Sequence, residues 1–333
     1  MATAFLAIAT AALTSALTSA LTWAYFLGMR ARKHLEPPSA RGMHRIPVAT
    51  GAGAVIIAVT IGMWAMWSAP GLTGGHALLL AAAASLAAMS WIDDRRGGLP
   101  PVVRLLGHTL AVALLLLSLG AEQRLLPAIP AVAERVLLGL AWVWFINLFN
   151  FMDGIDGLAG TETIAVAGGY VLVASVSPLE EPMANLGLVI AAAAAGYLVW
   201  NWHPAKVMMG DTGSIALGFL LGWLLIDLVL RGHAAAAAIL PLYFVADATL
   251  TLVRRVLRGE KPWQPHREHA YQRAALAMGS HAPVVVRIGA ANALLIALAV
   301  LSKHFPLAAL AGAFAVVAIL IGHLEQVARR PIE

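Results

Sequence analysis

Cysteine is absent from the chain, which excludes disulfides and thiolate metal sites. Charge is scarce. Asp, Glu, Lys and Arg make up 12% of residues, against about 25% in soluble domains. Long polar segments are also lacking. The largest loop runs only from Arg254 to Pro283, so no sizeable domain fits outside the apolar part. A basic stretch before the first apolar run is missing too, which makes that run a first membrane span rather than a cleaved signal. RNA- and DNA-binding motifs are absent, and nucleic acid is not expected as a partner.

What is present is apolar. Hydrophobic residues make up 60% of the chain, and the formal net charge of +5 suits anionic lipid headgroups. A span needs about 20 apolar residues. Eleven runs qualify: 3–29, 47–68, 75–92, 102–120, 132–151, 161–177, 184–200, 212–230, 234–254, 284–302 and 305–324. The number is ten if one of the shorter runs does not cross. The fold class is therefore all-α, a polytopic transmembrane bundle forming one domain over 1–333. Basic residues set its orientation. All but Arg124, Arg135, Arg231 and Lys303 fall on one side, read as cytoplasmic. The N-terminus is then outside and the C-terminus inside. Loops 30–46, 93–101, 152–160, 201–211 and 255–283 share the cytoplasmic face, and their polar clusters point to one assembled active site.

The densest cluster is Asn147 to Gly160, NLFNFMDGIDGLAG. Asn147, Asn150, Asp153 and Asp156 fall three apart. At about 100° per residue, each step of three turns the side chain back by about 60°, so neighbours lie side by side if the helix continues. Such groups beside lipid are costly unless they face protein, water or a ligand. Gly154, Gly157 and Gly160 allow close approach to the backbone.

Asp93 and Asp94 close the third run, in SWIDDRRGGLP. Adjacent carboxylates repel, and they become favourable beside Mg2+ or an arginine. One could also take a proton from an attacking group. A solvated loop paired with Arg95 and Arg96 is the plainer alternative. Asp211 precedes another apolar run, in NWHPAKVMMGDTGS. It is either a helix cap or a metal ligand at a helix N-terminus, where phosphate is also favoured. Lys206 adds a point charge for phosphate, and Asn201 and His203 lie at the same depth. QPHREHAYQR supplies His266, Arg267, His269 and Arg273 as anion contacts and orienters. Two histidines alone do not make a zinc site. In the first inner loop, His44 or Arg45 stands at the rim, with Gly51 and Gly53 nearby. Carboxylates, a hard metal and basic groups together suit phosphoryl transfer.

The motifs DD, NxxNxxDGIDGLAG, NxxPAKxxxGDTGS and HxxHAYQ resemble the polyprenyl-phosphate N-acetylhexosamine-1-phosphate transferases, glycosyltransferase family 4. The likeness runs in order from about Pro38 to Arg273. It implies that undecaprenyl phosphate attacks the β-phosphate of a UDP-N-acetylhexosamine, giving undecaprenyl-diphospho-sugar and UMP, with Mg2+ or Mn2+ as cofactor. Asp211 would bind the metal with Asn150 and Asp153. Asp153 and Asp156 would face the uridine. Asp93 or Asp94 would deprotonate or position the lipid phosphate. Asn201 would line the nucleotide pocket, with Asn147, Lys206, Arg267 and Arg45 as further substrate contacts. His266 and His269 would meet the diphosphate or sugar as catalytic groups. The resemblance places the protein in the inner (plasma) membrane, initiating O-antigen or another envelope polysaccharide, and allows a homodimer.

The chain departs from the family pattern in places. IPVATGAGA stands where a Pro-Thr-Pro-x-Gly-Gly-like turn is common, and Met208 stands where a Phe is common. HREHAYQ replaces the three consecutive histidines usual in phospho-N-acetylmuramoyl-pentapeptide transferases, which favours the O-antigen-initiating branch over the pentapeptide reaction. Two rival classes remain at this level. A transporter would use Asp227, Asp247 and Pro241, but such sites sit near the bilayer midplane. A CDP-alcohol phosphotransferase would need DGxxAR, whereas Asp156-Gly157-Leu158-Ala159 ends in Gly160.

Overall fold

A computed structural model describes residues 2–37, 43–44, 46–96, 98–120, 123–124, 129–177, 181–261, 264 and 266–329. Its secondary structure is helical: α1 (Ala2–Ala31), α2 (Gly53–Ser68), α3 (Gly74–Arg96), α4 (Pro101–Ser118), α5 (Ala131–Met152), α6 (Leu158–Ser175), α7 (Glu181–Asn201), α8 (Gly210–Leu230), α9 (Ala234–Ile239), α10 (Leu242–Leu257), α11 (Ala270–Met278), α12 (Ala282–Leu301) and α13 (Pro306–Ala328). Among the described residues, nine helices are long and apolar enough to cross a membrane. The fold is an all-α polytopic membrane bundle.

Two of the eleven apolar runs take a different form. Run 47–68 becomes a helix only from Gly53, because Val48 and Ala49 pair with other backbone segments instead. Run 234–254 breaks into α9 and α10 around Pro241, which lacks the N–H that a continuous helix needs. The short α11 lies between α10 and α12 and is not among those nine helices.

Helix α8 is the centre of the bundle. It packs against α2, α3, α5, α6 and α9. Most of its side chains are buried. Small residues explain the closeness. A Cβ at Gly222 would collide with the Trp142 indole, and one at Gly218 would press on Ile146 at 3.2 Å. Trp142 lies flat on Phe219, with ring centres 4.9 Å apart, and its indole N–H donates to the Phe219 carbonyl at 3.0 Å. This locks α5 to α8 and fixes the ends from which Asn150 and Asp211 project. At the bundle's edge, Trp200 of α7 stacks on Trp23 of α1 at 4.3 Å.

Candidate active site

The end of α5 sets the geometry. The helix stops at Met152, and Asp153 is its C-cap, with φ −79° and ψ 54°. The three-residue series is therefore broken, and its members part company. Asn147 turns back on its own helix, donating to the Val143 carbonyl at 2.7 Å. Asn150 reaches across to α8, where its amide donates to Asp211 Oδ1 at 2.9 Å and to Ser214 Oγ at 2.8 Å. Asp153 faces the same space, while Asp156 belongs to a different cluster. The expected side-by-side row of four does not form, because helical geometry ends before the carboxylates.

Asp211 occupies the second position of α8, after Gly210, and Met209 at the N-cap makes no side-chain cap bond. The capping role considered for Asp211 is thus not the one it plays. Its carboxylate meets Asn150 on one side and Arg104 Nη1 at 3.3 Å on the other. Beside it lies a cavity of about 180 Å³. Asn150 and Asp153 line it from α5, Met208, Gly210 and Asp211 from the approach to α8, and Glu36, His44 and Thr50 from the first inner loop. Burial, with the charges of Asp211 and Asp156, holds the Asp153 carboxyl well above the usual carboxylate range.

The first inner loop is held against the α7–α8 loop by backbone pairing. Ala49 N–H donates to the Lys206 carbonyl, Met208 N–H to Ala49, Ala52 N–H to Met208 and Gly53 N–H to Met209, all within 3.1 Å. A Cβ at Gly53 would strike Gly213 of α8, so this glycine serves helix contact, not ligand approach. Thr50 Oγ1 donates to Glu36 at 2.6 Å and orients that carboxylate at the cavity.

The adjacent carboxylates of α3 differ. Asp93 is 3% exposed, takes the Leu99 N–H, and lies 3.5 Å from Arg104 Nη1. Asp94 is exposed and accepts from Thr212 Oγ1 at 3.2 Å, one residue along from Asp211. Arg104 therefore bridges Asp93 and Asp211.

Asp156 is buried in a second cluster. Its Oδ2 accepts from His203 Nδ1 at 2.6 Å and the Ala205 N–H at 3.1 Å. Its own N–H donates to His281 Nδ1 at 3.2 Å. Burial would raise this carboxyl, but the His281 and His203 imidazoles and the Ala205 N–H beside it outweigh burial and hold the group below the usual range. Oδ1 is buried with no hydrogen-bond partner among the described residues. Asn201 joins the same region from beneath. Its Oδ1 accepts the Gly157 N–H at 2.9 Å and its amide donates to the Val207 carbonyl at 2.9 Å. Gly157 has φ +80°, a conformation that favours glycine.

The histidine motif sits at the start of α11. His266 and His269 have ring centres 4.9 Å apart, and His269 closes a capping box with Gln272. Burial, then the charges of His269 and Arg255, lower His266 to about 4, so it is neutral at pH 7 and meets a ligand as a hydrogen-bonding group rather than a cation. Arg267 is half-buried in the same turn. Tyr271 Oη donates to the Phe151 carbonyl at 3.2 Å. A Cβ on Gly154 would collide with that hydroxyl, so α11 abuts the Asp153–Gly154 turn. Lys206 is placed elsewhere: its ammonium lies over Trp23 and Trp200, 5.1 and 4.8 Å from the ring centres. Arg45 lies outside the described residues.

Two donor sets suit different cations. Asp153, Asp211 and the Asn150 carbonyl oxygen are hard donors around a polar cavity, which fits Mg2+. Asp156, His203 and His281 gather three donor atoms within 4.8 Å of one another. Imidazoles favour a borderline ion such as Zn2+, and the 2.6 Å separation within this set is a hydrogen bond rather than a ligand–ligand spacing. The Mg2+ reading therefore stays with the first set.

Several residues escaped the sequence reading. Arg104 counted only as a loop charge. Asp247 counted only toward a transporter pathway, and Glu36, Thr50 and His281 carried no motif signal until the loops were brought together.

The sequence profile of glycosyl transferase family 4 matches residues 76–229. A protein named "Probable undecaprenyl-phosphate N-acetylglucosaminyl 1-phosphate transferase" from Bacillus subtilis (strain 168) is 32% identical over 185 residues, covering 49% of this chain and 49% of that relative. The phospho-N-acetylmuramoyl-pentapeptide-transferase of Nocardia farcinica is 33% identical over 253 residues, covering 61% of this chain and 70% of the relative. That of Mycobacterium ulcerans is 30% identical over 269 residues, covering 66% and 72%. The chain thus spans about half the length of the first of these relatives and more than two thirds of the other two.

Proposed function

Since the chain belongs to glycosyl transferase family 4, we propose that it transfers an N-acetylhexosamine 1-phosphate from a UDP-sugar to undecaprenyl phosphate. A phosphate oxygen of the lipid forms a bond to the β-phosphorus, and the bond from that phosphorus to the bridging oxygen of UMP breaks. The products are undecaprenyl-diphospho-sugar and UMP. The observation that carries this reading is the meeting of Asn150, Asp153 and Asp211 at one polar cavity, with Asp94 one residue away through Thr212.

Each chain residue then has a task. Asp211 and Asp153, with Asn150, would hold Mg2+ (Mn2+ is the alternative), which when bound would neutralise charge building on the diphosphate. Asp94, exposed beside this set, receives the lipid phosphate and takes its proton when that phosphate is a monoanion. Arg104 holds Asp93 and Asp211 in register and offers a fork to phosphate oxygens. Asp156, with its unpartnered Oδ1, accepts a hydrogen bond from the nucleotide. His266 and His269 border the sugar-diphosphate, His266 as a neutral hydrogen-bonding group. The active site faces the cytoplasm in the inner membrane, following the loop charges.

The relatives include enzymes named for the pentapeptide substrate. His266-Arg-Glu-His269 in place of three consecutive histidines favours a simple UDP-N-acetylhexosamine. The test is UMP release by purified protein with undecaprenyl phosphate and Mg2+, across UDP-sugars and UDP-N-acetylmuramoyl-pentapeptide. Release with the pentapeptide substrate alone overturns the sugar assignment, and full turnover in excess EDTA overturns the metal.

A further inference from the structure

We propose that Asp247 is a positioning residue for the transfer reaction, acting through His269; this rests on the transferase reading above. Asp247 lies in α10 and is 2% exposed, a costly place for a carboxylate unless its oxygens are satisfied. They are. Oδ1 accepts the Ala270 N–H at 2.9 Å and Thr251 Oγ1 at 3.3 Å. Oδ2 accepts the Tyr271 N–H at 3.3 Å and Tyr243 Oη at 3.0 Å. His269 Nδ1 stands 3.7 Å from Oδ1.

Two of those donors are the first amides of α11, which have no partner within their own helix. A carboxylate there also meets the positive end of the helix dipole. His269 and Gln272 already cap this helix locally. Asp247 adds what a local cap cannot: it fixes where α11 stands against α10. With α11 fixed, the His269 ring is held between His266 at 4.9 Å and Tyr271 at 5.6 Å. Its Nδ1 edge faces Asp247 across 3.7 Å, so a proton on Nδ1 points at that carboxylate. The same anchor reaches the metal-binding turn. Tyr271 binds Asp247 through its backbone and Phe151 through its hydroxyl, two residues before Asp153. Carboxylates that orient a metal-bound imidazole commonly contribute about 10–100-fold to function, and an effect of that order is expected here.

The experiment compares Asp247→Asn, His269→Gln and the double variant with the wild type. Asparagine keeps the size and one acceptor oxygen but removes the charge. The expected result is a fall in kcat of about tenfold or more for Asp247→Asn, with KM for the UDP-sugar within about twofold. Adding Asp247→Asn to His269→Gln should cost no more than about twofold further. Independent losses in the double variant overturn the proposal. Nitrogen-15 spectra of the histidines supply a readout apart from turnover. His269 should hold its proton on Nδ1 in the wild type and lose that preference in Asp247→Asn; an unchanged tautomer also overturns it. Should Asp247→Asn fail to fold, Tyr243→Phe removes a single donor to the same carboxylate and should shift the His269 signals in the same direction. If the wild type releases no UMP, the transferase reading falls, while the spectra still decide whether Asp247 sets His269.

Discussion

Asn150 donates its side-chain amide to the Asp211 carboxylate across 2.9 Å, joining the end of one helix to the start of another 61 positions later. The pair brings an amide from α5 and a carboxylate from α8 to one polar cavity. It also makes Asp211 testable. Because Asp211 is the second residue of α8 and caps nothing, Asp211→Asn should leave the bundle folded. Turnover should fall by at least about 100-fold, since an amide cannot supply the charge. UMP release beside size-exclusion elution of the purified variant checks this; near-normal turnover would remove Asp211 from the metal site.

The raised carboxyl of Asp153 predicts a pH dependence of metal affinity. A proton and Mg2+ compete for the same oxygens. As pH rises, the proton is released more readily, so the apparent Kd for Mg2+ should fall until Asp153 is fully ionised. In the metal-free protein the sign for stability is opposite. The folded state holds this proton more tightly than the unfolded chain, so the contribution of Asp153 is favourable at low pH and lost as pH rises through its raised value. Asp153→Asn should therefore flatten the Mg2+ titration and raise the Tm in EDTA at neutral pH by a few degrees, on the order of 1–4 °C. Calorimetric Mg2+ titrations at several pH values and thermal scans in EDTA measure the two effects.

Asp93 and Asp94 should separate on substitution. Asp94→Asn should lower kcat strongly, leave UDP-sugar affinity nearly intact, and recover partly as pH rises. A phosphate monoester has its second pKa near about 6 and loses its own proton at neutral pH, so help with that proton matters most below it. Asp93→Asn should instead loosen the Leu99 turn and free Arg104, lowering Tm as well as kcat. Paired pH–rate profiles and thermal scans distinguish them. Loss of nucleotide affinity in Asp94→Asn would move that carboxylate to the donor side.

Gly154→Ala should act through one hydroxyl. The added methyl meets Tyr271 Oη, and overpacking of this kind costs about 1–3 kcal/mol. Activity should fall because the displaced neighbour is Asp153. Tyr271→Phe clears the space and should restore part of the lost turnover in the double variant. No recovery would mean that the backbone, rather than the clash, is at fault.

Much of the bundle was legible because lipid imposes a simple code. A run of about 20 apolar residues has few other uses. The breaks were harder to read. Pro241 announced one, yet nothing in Asn147–Asp156 showed that the helix ends at Met152 and sends Asp156 toward His203 and His281. Motif residues were found because several chemical groups recur at short spacing. Arg104 and Asp247 were not, since each acts on partners distant in sequence: Asp211 for the first, His269 to Tyr271 for the second. In sequence the first was a loop cation and the second a carboxylate that a transporter could use. Lys206 shows the converse, a well-placed cation in sequence that settles over two indole rings.

The backbone pairing of Ala49 with Lys206 and Met208, continued by Ala52 and Gly53, makes two stretches more than 150 positions apart into one mechanical piece. Substitutions in them are therefore not independent. Donor preference cannot be grafted from a relative by moving the Met208–Asp211 stretch alone, because the wall opposite, Glu36 with Ala49 to Gly53, travels with it. A chimera that exchanges both stretches should keep its cavity, and one that exchanges either by itself should mismatch at the Gly53–Gly213 contact before any sugar is met.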